Sequence, residues 1–199
     1  MELNFNEDII LENERVRLEP LDWKHYEALL PIALQYPDLL QYSPSEFGTE
    51  TALKAYFEMS FNLKAQQLRY LFAIFDKTRQ AYAGSTTYLN ISETDQRLEI
   101  GATWIGRDFQ RTGLNRNCKF LLMQYAFEVL GCKRVAFRTD KRNTTSRKAI
   151  EGVGGIYEGM LRSHTVMPDG YRRDTVCYSV LREEWNGIRE TVFAGYSSY

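Results

Sequence analysis

Gln110, Gly113 and Asn115 stand in a six-residue polar stretch, Gln110-Arg-Thr-Gly-Leu-Asn115, with Arg111 inside it and Arg116 just beyond. A glycine there lets the chain turn sharply and leaves backbone N–H groups facing outward. A long apolar-faced segment follows. If it is a helix, the amides of Thr112, Gly113, Leu114 and Asn115 sit at its positive end, and the two arginines add charge beside them. That combination suits a phosphate or pyrophosphate. Farther along, Asn143 and Ser146 have the spacing of a helix cap and its first turn. Glu99 is a carboxylate within an apolar run: Leu98 and Ile100 point to one sheet face, so Glu99 points to the other. His25 and His164 are the only histidines, and each reads as an ordinary surface or hairpin residue. No Ser/His/Asp or Cys/His set suggests a covalent nucleophile.

These residues need elements to hold them. Leu98, Ile100, Ala102 and Trp104 alternate with Glu99, Gly101 and Thr103, the pattern of a half-buried strand. From Asn115, the helix carries Leu114, Cys118, Leu121, Leu122, Tyr125, Ala126 and Val129 at three- and four-residue steps, with Gly131 as its C-terminal glycine. Val135 to Asp140 reads as a further strand, and Ser146 to Val153 as a short helix stopped by Gly154-Gly155. Earlier, Arg15 to Leu21 is the first strand and Asp22 caps a helix that Pro31 kinks or splits. Thr49 opens a second helix, and Leu68 to Phe75 and Ala81 to Ile91 are paired strands. Ile156 to Met167 and Tyr171 to Leu181 form a hairpin around Pro168-Asp-Gly170. Residues 1–14 read as an N-terminal arm. Residues 186–199 read as a C-terminal tail, frayed or docked on a second copy through Phe193, Tyr196 and Tyr199. With no internal linker, 1–199 is read as one domain of α+β class with a mixed sheet.

Gln110-x-x-Gly113-x-Asn115, after an Leu-Glu-Ile-Gly strand and before the long helix, resembles the pyrophosphate-binding turn of the GNAT superfamily of acetyl-CoA-dependent N-acetyltransferases. Asn115 stands where that pattern has a small residue. Asn143-Thr-Thr-Ser146, running on to Gly154-Gly155, resembles a second segment of the same family, and Gly155 replaces its commoner phenylalanine. The order of elements is similar to the branch that includes the Rim-type enzymes, which acetylate N-termini of ribosomal proteins. The resemblance implies a mostly antiparallel seven-stranded sheet splayed after the fourth strand, three to four flanking helices, and the cofactor in the split.

It also implies roles. The turn 110–116 would receive the coenzyme A pyrophosphate. Backbone at Thr103, Trp104 and Ile105 would pair with the pantetheine arm, with a β-bulge aiming an N–H at the thioester carbonyl. Trp104, in phase with Leu98 and Ile100, also reads as a core aromatic. Asn143 would bond the pantetheine amides, and Ser146 would lie near the sulfur as acid or hydrogen-bond donor. Tyr157 and Tyr178 are other candidates for the acid. Glu99 would be the base, acting on the amine through water. The implied activity is direct transfer of acetyl to a primary amine, a protein N-terminus or a small amine. The alternative is a coenzyme A or acyl-CoA-binding module of the same fold without catalysis.

Composition narrows the field. Lys and Arg number 25 against 26 Asp and Glu, a net charge of −1, so no whole-chain case for nucleic acid exists. Cys118, Cys132 and Cys177 lack metal-ligand spacing, and an odd count points to a reducing cytoplasm. No apolar run reaches membrane-spanning length. The expectation is a cytoplasmic enzyme that needs acetyl-CoA and no metal, with the aromatic tail as a dimer contact.

Overall fold

Strands form where β-branched and aromatic residues cluster, because these side chains pack well on a pleated surface. The computed structural model describes residues 1–198; Tyr199 lies outside them. In chain order the elements are β1 (Leu11–Glu12), β2 (Val16–Pro20), α1 (Tyr26–Gln35), α2 (Glu50–Ala65), β3 (Arg69–Asp76), β4 (Ala81–Ser92), β5 (Arg97–Ile105), α3 (Leu114–Gln124), β6 (Arg134–Asp140), α4 (Thr144–Glu151), β7 (Ile156–Val166), β8 (Arg172–Leu181) and α5 (Arg182–Thr191). Asp22 caps a short 3-10 turn before α1, and α1 continues past Pro31 rather than splitting there.

The strands make one sheet in the order β1-β2-β3-β4-β5-β6-β8-β7. It has eight strands, not seven, because the N-terminal arm is built in. Leu11 and Glu12 pair with Leu18 and Arg17 as an edge strand. Leu3 and Ile9 are buried in the core, and the Ile9 N–H donates to the Tyr70 hydroxyl oxygen at 2.9 Å.

Every neighbouring pair is antiparallel except β5 with β6. That parallel pairing consists of Arg97↔Arg134, Leu98↔Val135 and Glu99↔Ala136, and then ends. Beyond Glu99, β5 stays paired to β4 as far as Ile105, while β6 stays paired to β8 as far as Asp140. The sheet therefore splays between β5 and β6, after its fifth strand; with the added edge strand β1 set aside, this is the split after the fourth strand that the resemblance implied.

Two apolar layers cover the sheet. On one face Leu98, Ile100 and Ile105 pack with Leu114, Cys118 and Leu122 of α3. On the other, Leu29, Leu53, Phe57 and Trp104 form the layer of α1 and α2. The α3 helix is also covered from outside. Phe120 packs against Trp185 and Phe193, so Phe120 and Met123 are buried along with the expected stripe. Tyr125–Val129 forms a π-helical turn. The extra residue in that turn rotates the following side chains, which leaves Val129 exposed and buries Phe127.

A fifth helix exceeds the three to four expected. It occupies much of the anticipated tail, with Trp185 and Phe193 almost wholly buried in the chain's own core. The aromatic residues that suggested a second copy are thus spent within the chain, at least through Tyr196. Among the described residues no helix is long and apolar enough to cross a membrane.

Candidate functional site

Strands β5 and β6 run parallel, so their C-terminal ends leave the splayed region on the same side. In open sheets a ligand crevice forms outside such ends. The turn 110–116 follows β5 and leads into α3; Asn143 follows β6 and leads into α4. Both helix N-termini therefore flank the open end of the split, with Glu99 at its vertex.

The turn has the geometry its sequence calls for. Gly113 is the N-cap of α3 with φ 84° and ψ −10°, in the left-handed region that favours glycine, and no side chain caps the helix there. A Cβ built on Gly113 would meet nothing within 4 Å. The space before the first-turn amides is open, which fits a diphosphate seated on them. Arg111 is exposed, also with a left-handed φ, 60°.

Other side chains of the turn are committed elsewhere. Gln110 donates through Nε2 to the Ile105 carbonyl at 2.8 Å, tying the turn to the end of β5. Thr112 donates to the Phe109 carbonyl at 2.7 Å. Arg116 donates to the Val192 carbonyl at 2.9 Å, so its guanidinium braces the end of α5. Leu114 is core. Asn115 leaves Oδ1 buried without a hydrogen-bond partner among the described residues.

Along β5, one residue breaks the alternation. The register to β4 passes from Thr87↔Gly101 to Ser85↔Trp104, a bulge with Ala102 at φ 46°. The inserted residue reverses the phase of everything after it. Trp104 therefore lies on the α1–α2 face against Phe47 and Tyr56, opposite Leu98 and Ile100, whereas simple alternation placed it with them. Thr103 turns to the α3 face instead, where its Oγ1 accepts a 2.9 Å bond from Lys119 Nζ and lies 2.7 Å from Thr86 Oγ1. Ile105 is core.

Glu99 is 5% exposed. Its Oε2 accepts from Asn90 Nδ2 at 2.8 Å and lies 3.5 Å from Arg138 Nε. Burial pushes its carboxyl above the ordinary value, while Asn90, Arg138, Arg69 and Arg173 pull it back. The result is a shielded carboxylate with a raised proton affinity, the character of a general base. Across the split, Asn143 Oδ1 accepts from the Ser146 N–H at 3.0 Å, the capping pair read from the sequence. Among the described residues the Asn143 amide N–H₂ and the Ser146 hydroxyl have no hydrogen-bond partner.

The remaining candidates are placed away from such a role. His25, expected at the surface, is fully buried, with Nε2 2.8 Å from Glu19 Oε1. Burial raises the Glu19 carboxyl, but bonds from His25, Tyr82 and Lys24 outweigh it and hold its pKa at about 2. His164 lies in the hairpin, 3.1 Å from Thr175 Oγ1. Tyr178 is buried and donates to Glu151 at 3.0 Å, and Tyr157 is 52% exposed. Asn90, Arg69 and Arg138, which surround Glu99, carry no local signal in the sequence; only strand register brings them together.

An acetyltransferase (GNAT) domain model matches residues 15–156. The chain belongs to this family, whose chemistry is acyl transfer with acetyl-CoA as cosubstrate. A Bacillus subtilis protein named "Putative ribosomal N-acetyltransferase YdaF" is 34% identical over 104 residues. That match spans 52% of this chain and 56% of the relative, so the chain spans about half its length. The uncharacterized N-acetyltransferase p20 of Bacillus licheniformis is 24% identical over 181 residues, covering 89% of this chain and 98% of that one. The crystal structure of a GCN5-related N-acetyltransferase from Brucella melitensis superposes with a TM-score of 0.87 at 29% identity, over 94% of this chain and 85% of the other.

Proposed function

We propose that the protein transfers acetyl from acetyl-CoA directly to a primary amine, with Glu99 drawing the proton from the amine. The observation that carries this reading is the position of Glu99 at the last β5–β6 pair, buried, one step inside an open split whose far end carries the Gly113 turn. Acetyl-CoA supplies the activated acyl group when bound. The turn amides of 112–115 hold its diphosphate, and Arg111 adds charge at the rim. The edge of β5 past Glu99 pairs with the pantetheine, and the Asn143 amide and Ser146 hydroxyl face it from α4. Ser146 donates to the leaving sulfur. No covalent enzyme intermediate is required. The name of the Bacillus subtilis relative favours a protein N-terminus as the acceptor. The cysteines, all free, suit a reducing cytoplasm.

The test is an acceptor screen that follows free coenzyme A thiol. Amine-dependent thiol release from acetyl-CoA supports the proposal. Tight acetyl-CoA binding with no product from N-terminal peptides, polyamines or amino sugars would replace it with the non-catalytic binding module.

A further inference from the structure

Beside Glu99, on the α1–α2 face, lies a cavity of about 510 Å³. Leu63 from the end of α2 and Ile91 from β4 supply apolar wall, and Arg69, Arg97, Arg138 and Asn90 supply the polar groups. Its lining includes no carboxylate. Two lining residues are the ones that touch Glu99: Asn90 at 2.8 Å and Arg138 at 3.5 Å. Glu99 itself lies outside the lining, behind the Asn90 and Arg138 side chains.

The charge does not cancel. Arg97 pairs with Asp95, an exposed residue outside the cavity, at 3.2 Å. Arg138 shares Glu99 at a distance beyond an ordinary hydrogen bond. Arg69, half-buried at the start of β3, has no carboxylate at ion-pair distance among the described residues and feels Glu99 only at longer range. Guanidinium groups that converge on a partly apolar cavity favour a planar anion held by two N–H groups. They also repel a cation.

From the cavity beside Glu99 we infer that the acceptor is an amine carrying a carboxylate about one residue away. This rests on the acyl-transfer reading above. With the amine over Glu99, the chain's next ~3.5 Å of reach lies along the wall of Asn90 and Arg138. A polyamine or an aminoglycoside would bring its second positive charge to the arginines instead. The same chemistry comes from two sources: a polypeptide with Asp or Glu near its N-terminus, or a free amino acid.

The experiment uses the full chain, acetyl-CoA, three peptides identical except for Glu, Gln or Lys at the second position, free glutamate and spermidine. Loss of a charge-assisted bond predicts kcat/KM about tenfold higher for the Glu peptide than for the Gln peptide, and lower still for the Lys peptide and spermidine. Arg69→Met is expected to erase the Glu preference, bringing the Glu and Gln peptides to equal kcat/KM whatever its effect on their common rate. Arg97→Met provides a second position should the first variant fail to fold. Turnover of glutamate identifies a small-molecule acceptor; turnover of the Glu peptide alone identifies a polypeptide. Equal use of Glu and Gln peptides, or preference for the cations, overturns the inference. If the wild-type chain acetylates nothing, the acyl-transfer reading fails separately. The cavity is then judged by thermal shift: stabilisation by the Glu peptide but not the Gln peptide, lost in Arg69→Met, upholds it, and equal shifts overturn it.

Discussion

The side chain of Asn90 reaches Glu99 only because β4 is irregular at that point. Leu89 pairs with Glu99 and Ser92 with Arg97, so β4 holds one residue more than β5 over this span. Asn90 sits in the extra position with φ 49°, a conformation that Asn tolerates better than most residues. In a regular ladder it would face away from Glu99. The bulge turns its amide onto Glu99 Oε2 at 2.8 Å.

A base held this way has a characteristic pH profile. Burial raises the Glu99 carboxyl above its ordinary value of 4.5. The acid limb of kcat/KM is therefore expected above pH 4.5, with activity gained as pH rises through it. Glu99→Gln is expected to lower kcat by about 10²-fold or more, to remove that limb, and to leave acetyl-CoA affinity unchanged. A raised pKa in the folded chain gives stability that is full below the unfolded pKa and lost as pH rises through the folded one. At pH 8 the buried carboxylate is thus a net burden, and Glu99→Gln should melt at a higher temperature than wild type. Unchanged turnover in the variant would remove Glu99 from the chemistry.

Lys119 makes a second pH prediction. Its side chain is buried in α3 and donates to Thr103 Oγ1 at 2.9 Å. Burial lowers its pKa from 10.5 to about 8. The neighbouring Cys118 thiol, pushed up to about 12 by burial, stays neutral and offers no counter-charge. Below pH 8 the lysine is charged in both folded and unfolded chains, and the folded chain bears the cost of burying it. Between about 8 and 10.5 the unfolded chain binds more protons, so stability rises with pH. Lys119→Met removes the buried charge and should stabilise the protein by about 1–3 kcal/mol at pH 7, less at pH 10. Urea unfolding at the two pH values checks this, and an equal gain at both would contradict it.

Two glycines separate binding from folding. Gly113→Ala puts a methyl at φ 84° where nothing lies within 4 Å, so the folding cost is conformational, about 1 kcal/mol. The methyl stands among the turn amides, and acetyl-CoA is expected to bind about tenfold more weakly or worse. At Gly84, an added Cβ would lie 2.0 Å from the Trp104 carbonyl oxygen. Gly84→Ala should fail to yield a folded chain, because β4 cannot keep its pairing beside the β5 bulge. Calorimetry on the first variant and circular dichroism on the second separate the two roles.

The part of the site legible in the sequence is the part made locally. Gly113 and the three- and four-residue steps of α3 announce a turn and a helix whatever surrounds them. The Asn143–Ser146 cap is equally local. Bulges are not: Ala102 and Asn90 differ from ordinary strand residues only in a left-handed φ that neither residue type demands. Missing the first bulge puts Trp104 on the wrong face. The partners of Glu99 come from β3, β4 and β6, and only register joins them. The helix α5 is hard to read because its apolar contribution is thin. Arg182 to Glu190 holds Trp185 and Ile188 among charged residues, and such a run looks like a solvated tail until Phe120 is seen waiting for it.

That closing helix supplies the last prediction. Phe193 is 1% exposed. Its ring lies 5.3 Å from that of Phe120 and 6.0 Å from that of Trp185, while Arg116 holds the neighbouring Val192 carbonyl at 2.9 Å. Phe193→Ala should therefore cost about 3–5 kcal/mol, the range for an aromatic removed from a packed core. Because α5 braces the first turn of α3 through Arg116, acetyl-CoA affinity should fall as well. The apparent mass by light scattering should stay as it is in the wild type. A variant with intact melting temperature and a changed mass would mean that Phe193 serves a contact between copies after all, and that its burial against α3 does not persist in solution.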